Sequence, residues 1–315
     1  MRIAVRSLIV WQAIAVGSIT GPVMASEPAM CQSPRFSDIG WTDITLTTAL
    51  TAEILETLGY TPKISLLSTD VTYEEMRNKQ IDIFLGTWIP GLQGASQPYR
   101  DNGAIEAVRT NLTGAMSTLA VPRYVYDAGV KSLADLAARK AEFKGTIYGL
   151  APGSNKPIED LIAHNVDGLG SWTLSETSEA GMLAQVTRSI GRKEPVVFYA
   201  WAPHPMNTMF DIAYLAGGDE YIGPNYGAST VLTDVRAGYL TDCPNIARLL
   251  KNLAFSVSAE NEMMTPIMQQ TEEPKAAAIE WIRLNPDWLR ATLSNVTTYK
   301  GEPALPVVQS AFGIK

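Results

Sequence analysis

Short β-type runs alternate with helical patterns along most of the chain, and few folds accommodate such a sequence. Before residue 112, the runs that predict strands are residues 35–39, 63–67 and 81–85, the last of which stops at Gly86. Between the first two, Thr42 or Asp43 can cap a helix whose apolar residues recur every four positions. Such alternation is typical of α/β layers built on a mostly parallel sheet. We therefore predict an α/β fold with helices flanking the sheet.

A polar, Gly-containing joint at residues 111–114 separates a second set of alternating runs. The strands predicted in this set are residues 118–121, 146–150, 172–175 and 195–201. After Pro203-His204-Pro205 the pattern changes to Gly- and Tyr-rich loops, one strand and then mostly helix. We predict two lobes, the first made of residues 26–112 and 210–315 and the second of residues 113–209. Two crossing strands would form a hinge, and a ligand would lie in the cleft between the lobes.

The first 25 residues differ in composition from the rest of the chain. Arg2 and Arg6 precede an apolar run from Leu8 to Ile19, and Val23-Met24-Ala25 supplies a small-residue cleavage site. A membrane span needs roughly 20 apolar residues, and this run is too short. We predict a secretory signal peptide that is cleaved near Ala25, and therefore a periplasmic mature protein.

The charge of the chain points to the kind of partner. Removal of residues 1–25 changes the net charge from −7 to −9, because Arg2 and Arg6 are lost without any acidic residue. An acidic surface disfavours nucleic acid and anionic membranes, and it favours cationic ligands.

The two cysteines, Cys31 and Cys243, lie far apart in the sequence. An exported chain is expected to pair them, and two free buried thiols are the alternative. A disulfide would place the start of the mature chain and the region near residue 243 in the same lobe.

Three tryptophans stand at the carboxyl ends of predicted strands or just past them: Trp41, Trp88 and Trp201. Ligands of open α/β sheets bind at this edge. Indole faces attract a cation without a charged partner, which suits a trimethylammonium group that donates no conventional hydrogen bond. Each tryptophan taken singly could instead be an ordinary core or interface residue. The position of all three at strand ends favours a tryptophan cage.

Polar residues near these strand ends could hold the other end of a ligand. Asp43 is either an N-cap or first-turn charge of the helix that follows Trp41, or it accepts a hydrogen bond from a ligand hydroxyl. Ser154 and Asn155 follow a predicted strand at a helix N-terminus, where they either cap the loop or contact the ligand. The spacing does not decide between these alternatives.

The sequence offers little support for catalysis. Its two histidines, His164 and His204, have no metal-spaced partner and no nucleophile elbow nearby. No phosphate-binding loop or dinucleotide fingerprint is present either. We therefore predict a protein that is not an enzyme and carries no cofactor or metal.

Four separated segments resemble the periplasmic choline-binding proteins, which belong to the glycine-betaine/quaternary-amine class of ABC substrate-binding proteins. The segments are residues 36–45, 81–88, 179–186 and 201–207. The resemblance implies a type II-like periplasmic binding protein fold. We expect choline or a related quaternary-ammonium ligand and an ABC permease with its ATPase as partners, no nucleic acid, and a monomeric state. It also implies that Trp41, Trp88 and Trp201 form the cage, that Asp43 holds the choline hydroxyl, and that Asn155 or Ser154 contributes. The family's cysteine pair matches Cys31 and Cys243.

One position departs from the family. Its fourth cage aromatic, a tyrosine, would fall within residues 114–120, where this chain has Ser117. If no other residue fills that space, a larger trimethylammonium compound such as acetylcholine or carnitine could bind, and Ser117→Tyr should tighten choline binding. Tyr124 and Tyr126 are candidates to compensate.

Three functions compete on the sequence alone. A binding protein that delivers choline to an importer is the leading one, and acetylcholine, carnitine and glycine betaine are alternative ligands. An exported choline-ester hydrolase would need a nucleophile near Asp43 or His204. A sensory ligand-binding module would need an attached signalling segment.

Overall fold

The computed structural model describes residues 26–314, so the predicted signal peptide lies outside the described residues. Within this range the chain forms nine strands that share one sheet. The strands are β1 (Arg35–Asp38), β2 (Lys63–Leu66), β3 (Ile83–Ile89), β4 (Ile105–Pro122), β5 (Thr146–Gly149), β6 (Thr173–Glu176), β7 (Phe198–Ala202), β8 (Ile212–Tyr214) and β9 (Ala228–Arg236).

Helices flank the sheet and occupy much of the C-terminal third. They are α1 (Thr42–Thr57), α2 (Thr69–Arg77), α3 (Gln93–Asp101), α4 (Arg123–Asp127), α5 (Leu133–Ala138), α6 (Lys156–Ala163), α7 (Glu179–Gly191), α8 (Met206–Met209), α9 (Asp219–Ile222), α10 (Pro224–Gly227), α11 (Tyr239–Asp242), α12 (Pro244–Asn252), α13 (Val257–Gln270), α14 (Pro274–Leu284), α15 (Pro286–Thr292) and α16 (Ala304–Phe312). The predicted α/β class is confirmed.

The strand order is β2-β1-β3-β9-β4-β7-β5-β6, with β8 also paired to β4. Pairing is parallel within the group β1, β2 and β3 and within the group β5, β6 and β7. Pairing is antiparallel wherever β4 or β9 takes part. The sheet is therefore mixed: two parallel groups, as predicted, are joined through two long antiparallel strands.

The longest strand, β4, joins the two halves of the sheet. Its first part pairs with β9, and its last part, from Met116 onward, pairs with β7 and β8. The predicted joint at residues 111–114 lies inside this strand, where the pairing with β9 shifts register. Polar residues at bulges resemble a loop in sequence, which is why only residues 118–121 of this strand were predicted as a strand.

The lobe boundaries stay a prediction, but the strand pairing of β8 gives information on where the second lobe ends. β8 pairs with residues 120–122 of β4, and α9 packs against α6, so residues 212–222 lie with the second half of the sheet. These contacts favour a second lobe that extends to residue 227 rather than 209.

Strand β3 runs past Gly86, where the sequence predicted its end. A Cβ at Gly86 would lie 2.6 Å from the Cδ1 atom of Ile44 on α1. Glycine is needed here because helix α1 packs closely on the strand, so this residue marks a helix contact and not a turn.

The predicted disulfide is present and closes the first half of the fold. Cys31 and Cys243 are bonded with their Cα atoms 5.6 Å apart. Nearby, Asp82 is buried and accepts hydrogen bonds from Arg35 and Arg236, which lie on β1 and β9. Cys31 and the region near residue 243 therefore lie together in the structure, as the predicted shared lobe requires. Among the residues that the structure describes, no helix is both long and apolar enough to cross a bilayer.

Candidate functional site

A small, partly open cavity lies where the two halves of the sheet face each other, and the space between its lining atoms, including the part open to solvent, is about 320 Å³. It is lined by Trp41, Trp88, Gly91, Leu92, Ser117, Leu150, Ser154, Tyr199 and Trp201. The structure thus brings together all three predicted cage tryptophans with Ser117 and Ser154. No lysine or arginine is among the lining residues.

One side of the cavity is built on the start of α1 and the end of β3. Trp41 is the residue directly before α1, and Trp88 lies in β3. The indole Nε1–H of Trp88 donates a hydrogen bond of 3.0 Å to Oδ2 of Asp43. Asp43 is only 1% exposed, and its Oδ1 atom has no hydrogen-bond partner in the structure. A buried carboxylate oxygen without a partner is costly, so this atom still needs a donor. Asp43 lies behind the cavity wall and is not among the lining residues, but it contacts the cavity through Trp88.

The sequence predicted a side-chain cap for α1 from Thr42 or Asp43, and that prediction is wrong. The N-cap residue is Trp41, which makes no side-chain capping hydrogen bond. Thr42 and Asp43 lie in the first turn, and the Thr42 hydroxyl donates to Glu179 instead. Asp43 is therefore not the N-cap, but it is the acidic residue of the first turn, which was the other predicted helix role.

Burial raises the pKa of Asp43 to about 7, and the nearby charge of Glu179 adds to the rise. The hydrogen bond from Trp88 acts in the opposite direction. Glu260, on the helix α13 that packs against α1, is also buried, and its pKa is raised well above the usual value by burial and by the charge of Asp43. Negative charge at Asp43 is thus poorly compensated by the protein, and a cation in the cavity would stabilise it.

The other side of the cavity is built on β7. Tyr199 and Trp201 are separated by one residue on this strand, so both side chains point to the same face. Their ring centroids are 6.2 Å apart at an interplanar angle of 62°. Across the cavity, the rings of Trp201 and Trp41 are 6.3 Å apart and tilted by 36°. Four aromatic rings therefore surround the space, and sequence reasoning had named three of them.

Tyr199 is the aromatic residue that the sequence reasoning missed. Its hydroxyl donates to Oγ of Ser117 at 3.4 Å, and Ser117 Oγ lies 3.3 Å from Oγ of Ser229. Ser229 in turn donates to the carbonyl of Gly227 at 2.7 Å. The small side chain of Ser117 leaves room for the Tyr199 ring. Tyr199 is thus the tyrosine that fills the space, and neither Tyr124 nor Tyr126 is among the lining residues. The signal was the period-two spacing of Tyr199 and Trp201 on a predicted strand.

Gly227 makes the close approach beside Ser117 possible. Its φ is +75°, and a Cβ there would lie 1.8 Å from the Ser117 carbonyl oxygen. Only glycine fits this position.

The loop after β5 places Ser154 and Asn155 differently. Ser154 lines the cavity, and its Oγ lies 3.2 Å from Oγ1 of Thr69 on α2. Asn155 is fully buried, accepts from the Leu150 N–H at 2.7 Å and donates to the Leu150 carbonyl at 2.9 Å. It also donates to Glu176 at 3.0 Å. In the structure Asn155 holds the loop together, and Ser154 is the residue that reaches the cavity.

Below the aromatic rings, Glu179 and His204 form a buried pair. His204 Nε2 donates to Glu179 Oε1 at 3.2 Å, and His204 Nδ1 accepts the Met206 N–H at 3.0 Å. Burial acts to raise the pKa of Glu179, but hydrogen bonds from His204 and Thr42 outweigh it and hold that pKa below its usual value. Both ring nitrogens of His204 are engaged, so this histidine is not free to activate a nucleophile.

A family model described as the substrate binding domain of the ABC-type glycine betaine transport system matches residues 35–284. The chain belongs to this family. Members of the family are substrate-binding components of transport systems.

Solved structures of the family support the fold assignment. An ABC-transporter choline binding protein in complex with choline is 47% identical, covers 91% of this chain and 100% of that one, and superposes with a TM-score of 0.89. The same type of protein in an unliganded semi-closed conformation is 46% identical over 90% of this chain and 99% of that one, with a TM-score of 0.82. These likenesses confirm the two-lobed binding-protein fold.

A curated relative is more distant. The glycine betaine/carnitine transport binding protein GbuC of Listeria monocytogenes is 29% identical over 132 residues, which is 42% of this chain and 43% of that protein.

Proposed function

We propose that this protein is the choline-binding component of an ABC importer. The observation that carries the proposal is a cavity lined by four aromatic rings and no basic residue, next to the buried carboxylate of Asp43, which accepts a hydrogen bond from the lining Trp88. A trimethylammonium group has no conventional hydrogen-bond donor, and aromatic faces attract it by cation–π interaction. Two relatives with nearly half of their residues identical are described as choline binding proteins, which supports the same ligand class.

In this proposal the first lobe recognises charge and the hydroxyl. Trp41 and Trp88 contact the trimethylammonium group, and Asp43 accepts the choline hydroxyl through its unpaired Oδ1 atom. A charge-assisted hydrogen bond to a carboxylate is stronger than one between neutral groups. The carboxylates of glycine betaine and carnitine would be repelled by Asp43, which favours choline over them.

The second lobe supplies the remaining walls. Trp201 and Tyr199 complete the cage, and Ser117 and Ser154 limit its size. Asn155 contributes by fixing the loop that carries Ser154.

The proposal extends to the cellular role of the protein. A cleaved signal peptide would deliver it to the periplasm as a monomer, where it would hand its ligand to a membrane permease driven by an ATPase. It would not be an enzyme, since both ring nitrogens of His204 are hydrogen-bonded, one to Glu179 and one to the Met206 backbone.

Titration calorimetry of the mature protein with choline, acetylcholine, carnitine and glycine betaine tests the proposal. Choline should bind most tightly and glycine betaine most weakly of the four. Tighter binding of glycine betaine than of choline, or turnover of acetylcholine during the titration, would refute it.

A further inference from the structure

The N-termini of two helices from opposite lobes meet at one carboxylate. Helix α1 packs on β1 and β3, helix α7 packs on β5, and each begins beside the cleft. Thr42 is the first residue of α1, and Glu179 is the first residue of α7. The Thr42 backbone N–H donates to Glu179 Oε2 at 3.0 Å, and the Thr42 hydroxyl donates to Glu179 Oε1. The carboxylate of one lobe thus caps the helix of the other.

Helix α1 needs this cap because it has no cap of its own. The first N–H groups of a helix lack partners within it, and the helix dipole makes this end positive. Trp41, the N-cap residue, makes no side-chain hydrogen bond, whereas α7 is capped by Ser178. Two positive helix ends brought together would repel each other, and an anion between them stabilises both.

The same carboxylate is tied to the aromatic cage. Glu179 Oε1 accepts from His204 Nε2, and the His204 ring packs against Trp201 with centroids 4.8 Å apart at 64°. Thr42 follows Trp41 directly in sequence. A continuous set of contacts therefore runs from the start of α1 through Glu179 and His204 to Trp201, joining a cage wall on each lobe.

We infer that Glu179 is a positioning residue: it clasps the two lobes in the closed state by capping α1 across the cleft, and so sets Trp41 against Trp201. The inference rests on the proposed function. The structure is nearer to the choline-bound relative than to the semi-closed one, with TM-scores of 0.89 and 0.82, as expected if these contacts belong to closure. When the lobes separate, the hydrogen bonds between Thr42 and Glu179 break and both groups become hydrated.

The test is a double-mutant cycle between Glu179→Gln and Thr42→Val. We expect Glu179→Gln to speed choline dissociation by about 10- to 100-fold, the range for a lost hydrogen bond to a charged group. Thr42→Val removes the hydroxyl alone and should have a smaller effect in the same direction. Because both variants break one clasp, the double variant should dissociate no faster than Glu179→Gln alone. Stopped-flow tryptophan fluorescence measures these rates.

A second readout separates a clasp from a merely structural role. Small-angle scattering should show that choline compacts the parent protein and compacts Glu179→Gln less. Glu159→Gln is the control, since Glu159 also lies in the first turn of a second-lobe helix and, in the part of the chain that the structure describes, its carboxylate makes no hydrogen bond to the first lobe. The control should behave like the parent protein in both measurements.

The outcomes are distinguishable from a failure of the proposed function. If the parent protein does not bind choline, the function is wrong. If the parent binds and compacts while Thr42→Val and Glu179→Gln dissociate at the parent rate, or if their effects simply add, the clasp is wrong and the function stands. Thr42→Val leaves the Glu179–His204 pair intact, so it remains informative if Glu179→Gln does not fold.

Discussion

The two walls of the cavity are held by different forces. On the first lobe, Trp88 is fixed by a hydrogen bond to a buried carboxylate, Asp43, whose second oxygen has no partner. On the second lobe, the hydroxyl of Tyr199 donates a hydrogen bond to the neutral hydroxyl of Ser117. The buried Nε1–H of Trp201 has no hydrogen-bond acceptor among the described residues. Under the proposed function, this difference assigns charge selection to the first wall and size and shape to the second.

The largest effect should come from breaking the first wall. Trp88→Ala removes a cation–π face and also the only side-chain donor to Asp43 within residues 26–314, which makes ionised Asp43 still less favourable. Choline affinity should fall by about 100-fold or more, since each effect is worth about 2 kcal/mol. Trp201→Ala removes a face without touching the carboxylate, so its loss should be nearer 10- to 30-fold.

Trp88→Phe is the matched variant for this comparison, because it keeps an aromatic face and removes the N–H donor. Calorimetric affinities should rank Trp88→Phe between the parent and Trp88→Ala. If Trp88→Ala and Trp201→Ala reduced choline affinity equally, the two walls would contribute alike to recognition of the positive charge.

The charge of Asp43 should give a pH dependence of opposite sign for binding and for stability. Its pKa in the folded protein is about 7, above the value near 4 of an unfolded chain, so folding favours the protonated form. The contribution of Asp43 to the free energy of unfolding is therefore highest at low pH and falls as the pH rises from about 4 to about 7. Choline needs the ionised form, so its affinity should rise with pH over the upper part of this window.

We expect choline affinity to drop about tenfold between pH 8 and pH 6, since each pH unit below a pKa lowers the ionised fraction about tenfold. Asp43→Asn should bind choline more weakly than the parent at pH 8 and show a flat pH profile. Calorimetry at several pH values and thermal melts of both proteins measure the two trends. If the affinity of the parent protein for choline is unchanged from pH 8 to pH 6, the ionised form of Asp43 is not needed for binding.

The smallest effect should come from the second wall. Ser117→Tyr is expected to weaken choline binding by roughly 1 kcal/mol, or about fivefold, because the Tyr199 hydroxyl already occupies the space at 3.4 Å from Ser117 Oγ. This expectation reverses the one drawn from sequence, which held only if the space were empty.

Combining Ser117→Tyr with Tyr199→Ser moves the tyrosine between neighbouring strands and should restore most of the affinity. Calorimetry on the two single variants and the double variant checks this. Tighter binding by Ser117→Tyr alone would mean that Tyr199 does not fill the fourth wall.

The sequence predicted those features that depend on local pattern. Alternating runs located most strands within a few residues, and tryptophans at strand ends located three rings of the cavity. Gly86 was misinterpreted because a glycine needed for close packing against Ile44 looks the same in sequence as a glycine in a turn.

Features that depend on partners distant in sequence were not predicted. A crossing of the chain was predicted, but the full length of strand β4 was not, because its hydrogen-bond partners β7 and β9 begin only at Phe198 and Ala228. Glu179 looked like part of a helix start, and only the fold brings Thr42 to it. Tyr199 stood in a predicted strand, but its role depends on Ser117 being small across the ladder.

The central claim is that the positive charge of the ligand is what the cage recognises. Calorimetry with choline and with its neutral carbon isostere, in which a tert-butyl group replaces trimethylammonium, tests this directly, because shape and hydroxyl are unchanged. We predict that the isostere binds at least about 100-fold more weakly, since the cation–π contacts and the attraction to Asp43 are lost. Equal dissociation constants for choline and the isostere would show that the cavity recognises the shape of the ligand and not its positive charge.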